Sequence, residues 1–236
     1  MKNITILHLY SDTLDLYGDF FNVKCIKNRI EEMGGVCHVI TANLDEEIPV
    51  EDADLIYIGH GKARNLAAVA QHFAAQGERI KAAVEAGKVF FVTGNGRLLF
   101  GNSFTTADGV QMPGIGLFDY TGADTGKVFT SDVFSRCSFD ESIKTYGFIN
   151  RTQNIIGGNT CPLFLVESGA GDGEGTASVE GNHYKNYFGT WQMGPLLARN
   201  PAFLRYLLQT LLGEDMGTYD DTLAVKALER TLAEQK

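Results

Sequence analysis

Apolar residues in the first hundred positions follow two rhythms. Residues 4–9, ITILHL, form a short apolar, β-branched run closed by Tyr10-Ser11-Asp12, which predicts a strand. From Phe20 to Met33 the apolar residues Val23, Ile26, Ile30 and Met33 recur at three- and four-residue steps, the face of a helix, and Gly34-Gly35 stops it. Val36 to Thr41 and Leu55 to Ile58 read as two more strands, the second running into Gly59-His60-Gly61. Helical stretches near 64–76 and 78–86, split at Gly77, lead to Val89–Thr93, a continuous apolar run of the kind covered on both faces. Strands alternating with helices predict a parallel sheet flanked by helices, with all strand C-terminal ends on one edge. Ligands bind along that edge in open α/β sheets. The glycine turns at 59–61 and 94–96 are therefore expected to face one crevice.

The second half changes rhythm. Segments 115–121, 127–134, 143–149 and 161–167 are short and rich in aromatics, β-branched residues and glycine, and predict antiparallel or mixed strands. SGAGDGEG, residues 168–175, reads as a flexible hairpin tip or loop, without the alternating ligands of a calcium loop. A strand over 186–192, a Gly194-Pro195 turn, a helix from Pro201 to Leu212 with Asn200 as N-cap, and an amphipathic helix over 221–234 complete the chain. No linker, repeat or low-complexity tract divides it, so residues 1–236 are expected to form a single domain.

Composition narrows the class. The 236 residues are 44% hydrophobic and 21% charged, ordinary for a globular α/β core. Twenty basic and twenty-nine acidic residues give a net charge of −9, which argues against nucleic acid or an anionic membrane as partner. No apolar run approaches a membrane span, and the first residues enter a strand pattern without a signal-peptide core, so a cytoplasmic location is expected. Cys25, Cys37, Cys137 and Cys161 form no C-x-x-C pair and read as small apolar residues: Cys25 and Cys37 in the core, Cys161 opening a strand, Cys137 on a loop. His8 and His38 alternate within strands and read as packed, and no histidine pair has metal-ligand spacing, so neither metal nor cofactor is expected.

Residues 89–101, VFFVTGNGRLLFG, carry the most chemistry. A strand, a tight glycine turn and a helix start are the layout of a nucleophile elbow. The amides of residues 95–97 are expected at the helix N-terminus, where negative charge is favoured, which makes Asn95 and Gly96 part of an anion or oxyanion pocket in the crevice that Gly59, His60 and Gly61 also face; the alternative is a glycine-rich turn that merely packs well. Neither G-x-G-x-x-G nor a P-loop pattern fits the segment. Arg97, Lys127, Asn150 and Arg151 are candidate ligand contacts; with Lys62 and Arg64, the basic ones would hold an anion if they converge on the crevice. The alternative for each is a solvated surface residue, and for His60 a loop histidine without a partner.

LYSDTLDLYGD (9–19), the 59–61 turn, the elbow, GIGLFDY (114–120), GFIN (147–150) and HYKNYFGTWQMGP (183–195) follow one another in an order that resembles the class I glutamine amidotransferases of the cobyric acid synthase (CobB/CobQ) type. Within these, the resemblance is nearest to the amidotransferase subunits of lipid II isoglutaminyl synthases, which work beside a Mur-ligase-like subunit in cell-wall synthesis. It covers about residues 4–212. It implies a three-layer, flavodoxin-like α/β fold: a mostly parallel central sheet with an added antiparallel segment. It also implies a cysteine at the elbow tip, which attacks the glutamine amide, and a histidine base before a late Gly-Pro pair. Those positions are Gly94 and Met193 here, so no catalytic residue is intact by this reading. An arginine position expected to hold the glutamine carboxylate falls at Lys127, and the family's GFENH stands here as Gly147-Phe148-Ile149-Asn150-Arg151, so another polar pair has changed. The expected function is a non-catalytic relative acting through a Mur-ligase-like partner or through a small amide or anionic ligand. An enzyme using substituted residues and a stand-alone ligand-binding module are the alternatives.

Overall fold

The computed structural model describes residues 3–157, 159–173 and 178–234. Its first layer is a six-stranded sheet of β1 (Asn3–Leu9), β2 (Val36–Ala42), β3 (Leu55–Ile58), β4 (Val89–Thr93), β11 (Asn182–Tyr184) and β12 (Tyr187–Thr190), in the order β11-β12-β4-β3-β1-β2. All pairs are parallel except β11 with β12. Every residue of β3, β4 and β12 is buried, as the unbroken apolar runs of the first two require. The period of two then sorts side chains between two cores. Leu7, Ile56, Phe90 and Tyr187 face α2 (Ala63–Ala75), α3 (Gly77–Glu85) and the second sheet. Ile6, Tyr57, Phe91 and Phe188 face α1 (Phe20–Glu32) and α5 (Pro201–Leu212), whose Phe203, Leu207 and Leu208 are fully buried.

The second sheet holds β5 (Ser103–Thr105), β6 (Gln111–Pro113), β7 (Tyr120–Cys137), β8 (Lys144–Gly157), β9 (Phe164–Ser168) and β10 (Val179–Glu180). It is mostly antiparallel; β5 with β7 is the parallel pair. Two strands expected over 115–121 and 127–134 differ from what is found. Residues 115–118 instead bond to the backbone of Leu99, Phe100 and Gly101, and β7 runs unbroken for 18 residues. Its glycine-rich break becomes a register shift between Asp124 and Phe129 in the pairing with β8. Such a bulge absorbs extra residues and keeps both ladders in register. The strand expected at 161–167 begins only at Phe164, so Cys161 precedes it, and Cys137 is a buried strand end rather than a loop residue. His38 is exposed on the edge strand β2, not packed.

Helices α1, α2, α3, α5 and α6 (Thr222–Glu234) match the periodicity, and α4 (Leu196–Arg199) is a short turn before α5. Among the described residues no helix is long and apolar enough to cross a membrane. Asn200, expected as the N-cap of α5, does a different job: its side chain makes no cap bond. Its Oδ1 accepts from the Tyr146 amide at 2.8 Å, and its Nδ2 donates to the carbonyls of Tyr146 and Leu196, both at 2.8 Å. The buried carboxamide thus pairs with β8 as another strand would, joining the helical layer to the second sheet. Asn200→Ala is expected to strand an amide and two carbonyls and to cost about 2–3 kcal/mol, read from the urea midpoint at unchanged m-value.

Candidate functional site

The parallel strands bring the ends of β3, β4 and β12 to one edge, next to the N-terminus of α1. One side chain ties them together. Asp19, fully buried, accepts at 2.7 Å from the His60 amide after β3, at 2.8 Å from the Thr93 hydroxyl at the end of β4, and at 2.6 Å from the Gly194 amide after β12. Burial pushes its carboxyl up to about 7, against the pull of these three donors. The Tyr57 hydroxyl donates to the Asp19 carbonyl at 3.0 Å, and Asn22 carries the network on to the Gly194 carbonyl and the Leu197 amide, both at 3.0 Å.

At the tip of the elbow Gly94 has φ +58, a left-handed conformation that strains any residue with a Cβ. The coil that follows, Gly94–Phe100, is a 3₁₀ helix, not the α-helix expected, and all seven of its residues are buried. The backbone of residues 115–118 closes over its end, and a short tight coil fits where a full α-turn has no room to continue. Gly96 allows the approach to the neighbouring loop, since a Cβ there would lie 2.8 Å from the Gly59 carbonyl.

His60, Gly61 and Asn95 do meet. The Asn95 amide donates to His60 Nδ1 at 3.1 Å, which leaves the ring proton on Nε2. The Gly61 amide donates to Asn95 Oδ1 at 2.9 Å, and Asn95 Nδ2 returns a bond to the Gly61 carbonyl at 2.7 Å. Burial pushes the His60 imidazole down to about 4, so the ring is neutral. Tyr17, at φ +60, covers it with ring centroids 5.6 Å apart, and Asn150 Nδ2 donates to the Tyr17 hydroxyl at 3.1 Å.

The basic residues do not gather there. Arg97 is fully buried below the elbow: Nη1 meets Asp172 at 2.6 Å and Glu180 at 3.4 Å, and Nη2 meets Asn182 at 2.6 Å. Asp172 belongs to the segment expected to be a flexible tip at 168–175; residues 170–172 are buried, and 174–175 lie outside the described residues. Arg151 is buried too, donating to the carbonyls of Gly171 and Gly173 at 2.9 Å. Both guanidiniums stack near Trp191, at 5.4 and 5.3 Å. Lys62, Arg64 and Lys127 are exposed, Lys127 at the β7 bulge. Met193 is buried and its amide donates to the Phe148 carbonyl at 3.0 Å. It borders an opening of about 280 Å³ lined also by Tyr17, Tyr146, Phe148 and Arg199.

None of the four thiols sits on the crevice loops, and burial pushes those of Cys25, Cys37 and Cys137 upward, away from a reactive thiolate. Among the described residues no cluster could hold a metal. Asp19 and Tyr17 were not singled out by sequence reasoning. Their signal was a place inside LYSDTLDLYGD, with no chemistry attached until the fold brought the loops to them.

An open parallel sheet with an elbow after β4 and a facing loop after β3 defines the class: a flavodoxin-like class I glutamine amidotransferase fold. Solved structures agree on the fold. A crystal structure of a glutamine amidotransferase has TM-score 0.55 and 16% identity, over 87% of this chain and 98% of the other. The structure of PurLQS from Thermotoga maritima has TM-score 0.55 and 12% identity, over 98% of this chain and 100% of the other. The chain belongs to the CobB/CobQ-like glutamine amidotransferase domain family, whose model matches residues 5–201. It is similar to the lipid II isoglutaminyl synthase (glutamine-hydrolyzing) subunit GatD of Staphylococcus aureus, 29% identical over 210 residues, which are 89% of this chain and 84% of the relative. The same-named subunit of Streptococcus pneumoniae is 28% identical over 235 residues, 96% of this chain and 89% of the relative.

Asp19→Asn replaces an acceptor by an NH₂ group among three donors and is expected to cost about 1–3 kcal/mol in urea unfolding. His60 predicts a pH effect. Its folded pKa, about 4, lies below the unfolded value near 6.5, so the unfolded chain takes up the proton first. That contribution to stability is complete above the unfolded value and is lost as pH falls toward the folded one. Asp19, raised in the fold, has the opposite sign, losing stability as pH rises through its window. Comparison with His60→Ala isolates the histidine: from pH 7 to pH 5 the wild type is expected to lose about 2 kcal/mol relative to the variant.

Proposed function

We propose that this chain is a non-catalytic glutamine amidotransferase-like subunit that acts through a Mur-ligase-like protein, in lipid II amidation or a related cytoplasmic amidation. One observation carries the reading: the elbow tip is Gly94, and the position before Gly194-Pro195 is Met193. Glycine has no atom to form a thioester and a thioether takes up no proton, whereas Cys25, Cys37 and Cys137 sit on other elements and Cys161 just before β9. Loss of a nucleophile and base costs about a million-fold in turnover in the hydrolase where it has been dissected. The partner is suggested by the relatives, which are subunits, and by the match of nearly the whole chain to them. The whole chain then acts as a single domain. A small amide or anionic ligand in the crevice is the second reading, and it is disfavoured because the Gly61 and Asn95 amides already have partners.

Glutamate release from glutamine, measured on the purified chain alone and with the Mur-ligase-like protein of the same genome, is expected to stay at the buffer rate. The two proteins are expected to co-elute in size exclusion. Turnover above the buffer rate would overturn the non-catalytic part, whether or not it survives alanine replacement of all four cysteines, and separate elution would overturn the partner.

A further inference from the structure

The space beside Gly94 is filled. A Cβ built on Gly94 would lie 2.3 Å from His60 Nδ1 and 2.6 Å from both Cβ and Cγ of the same side chain. The imidazole thus stands where a side chain at the elbow tip would begin. It also takes the Asn95 amide, a backbone donor of the elbow loop, and the Asn95 carboxamide takes the Gly61 amide, a backbone donor of the facing loop, so neither is free for a bound carbonyl oxygen. Each loop therefore supplies the partner for the other loop's donor. The arrangement is held from behind by Asp19 on the His60 amide and from above by Tyr17, itself bonded to Asn150.

We propose that His60 and Asn95 form an internal latch, in which the chain's own imidazole and carboxamide occupy the acyl-binding crevice and exclude an external carboxamide or carboxylate. The inference rests on the non-catalytic reading and gives it a steric cause independent of the missing thiol. Replacing Gly94 by cysteine and Met193 by histidine does not rebuild a glutamine site in this chain while His60 remains; the ring and the new Cβ compete for one volume. His60 is a positioning residue here. Its neutral state follows from accepting a backbone N–H on Nδ1 in a dry setting, with Tyr17 over the ring and the Asp19 carboxylate bonded to its main chain rather than to the ring.

Two measurements decide the latch without reference to turnover. The first is a stability cycle of Gly94→Ala, His60→Gly and the double variant. Gly94→Ala is expected to lower the folding equilibrium constant at least about tenfold more in the wild-type background than beside His60→Gly, because only the first retains the clash. Equal costs in the two backgrounds would overturn the latch. The second uses the wild type, so it stands even if a variant fails to fold. In amide NMR spectra with glutamine, and separately acetate, added to tens of millimolar, the Gly61 and Asn95 amides are expected not to move. The His60 ring nitrogens are expected to report a proton on Nε2 and a hydrogen-bonded, unprotonated Nδ1. Saturable shifts at both amides, or a proton on Nδ1, would overturn it. Where His60→Gly folds, saturable shifts at both amides are expected in that variant, and their absence also counts against the proposal. Glutamine turnover by the wild type would bear on the non-catalytic reading and leave these readouts to judge the latch.

Discussion

The crevice depends on one buried carboxyl. Asp19 gathers donors from the ends of β3, β4 and β12, segments far apart in sequence that parallel pairing brings to a single edge. A carboxylate buried without partners would be prohibitive, and the three donors are what make its position tolerable. The coupling works in both directions. The loops give Asp19 its hydrogen bonds, and Asp19 fixes the main chain of His60 so that its ring turns toward the elbow. Tyr57, from the middle of the sheet, and Asn22, one turn into α1, extend the same network into the core.

A second buried charge, Arg97, decides what lies beneath. Its guanidinium meets Asp172 and Glu180 on the segment that follows β9, while burial pushes the Glu180 carboxyl upward. Glu180 also accepts from the Trp191 amide at 2.6 Å and the Thr190 hydroxyl at 2.7 Å, which fastens the end of β12 to the same cluster. The elbow is therefore anchored from below by ions and from the side by Asp19. Removing one member of such a buried group leaves an unmatched charge, so its loss is felt far more than that of an exposed pair such as Arg230 with Glu234.

Local rhythm made much of the fold legible. β4 is covered on both faces, and its unbroken apolar run said so; α5 begins at Pro201 because proline suits a first helical turn. The second sheet was harder to read. In β7 the glycines at 122 and 126 look like chain breaks, yet pairing with β8 on one side and β9 on the other outweighs them. Asn200 has the identity and place of a cap, but a strand edge with unpaired groups lay within its reach. Arg97 and Arg151 looked like ligand contacts because basic residues converging on the crevice would hold an anion; only the folded chain shows acceptors waiting for them inside.

The identity of the residues at the elbow tip and before Gly194-Pro195 is a property of the sequence alone, and with it the absence of sulfur and imidazole at those two places. So is the family, because its motifs are runs of neighbouring residues. What fills the resulting gap is a tertiary matter. His60 and Asn95 are 35 residues apart, and nothing in either neighbourhood says that one will accept the other's amide. That contact exists because adjacent parallel strands, β3 and β4, end side by side and a glycine leaves room between them, a consequence of packing that no local pattern encodes.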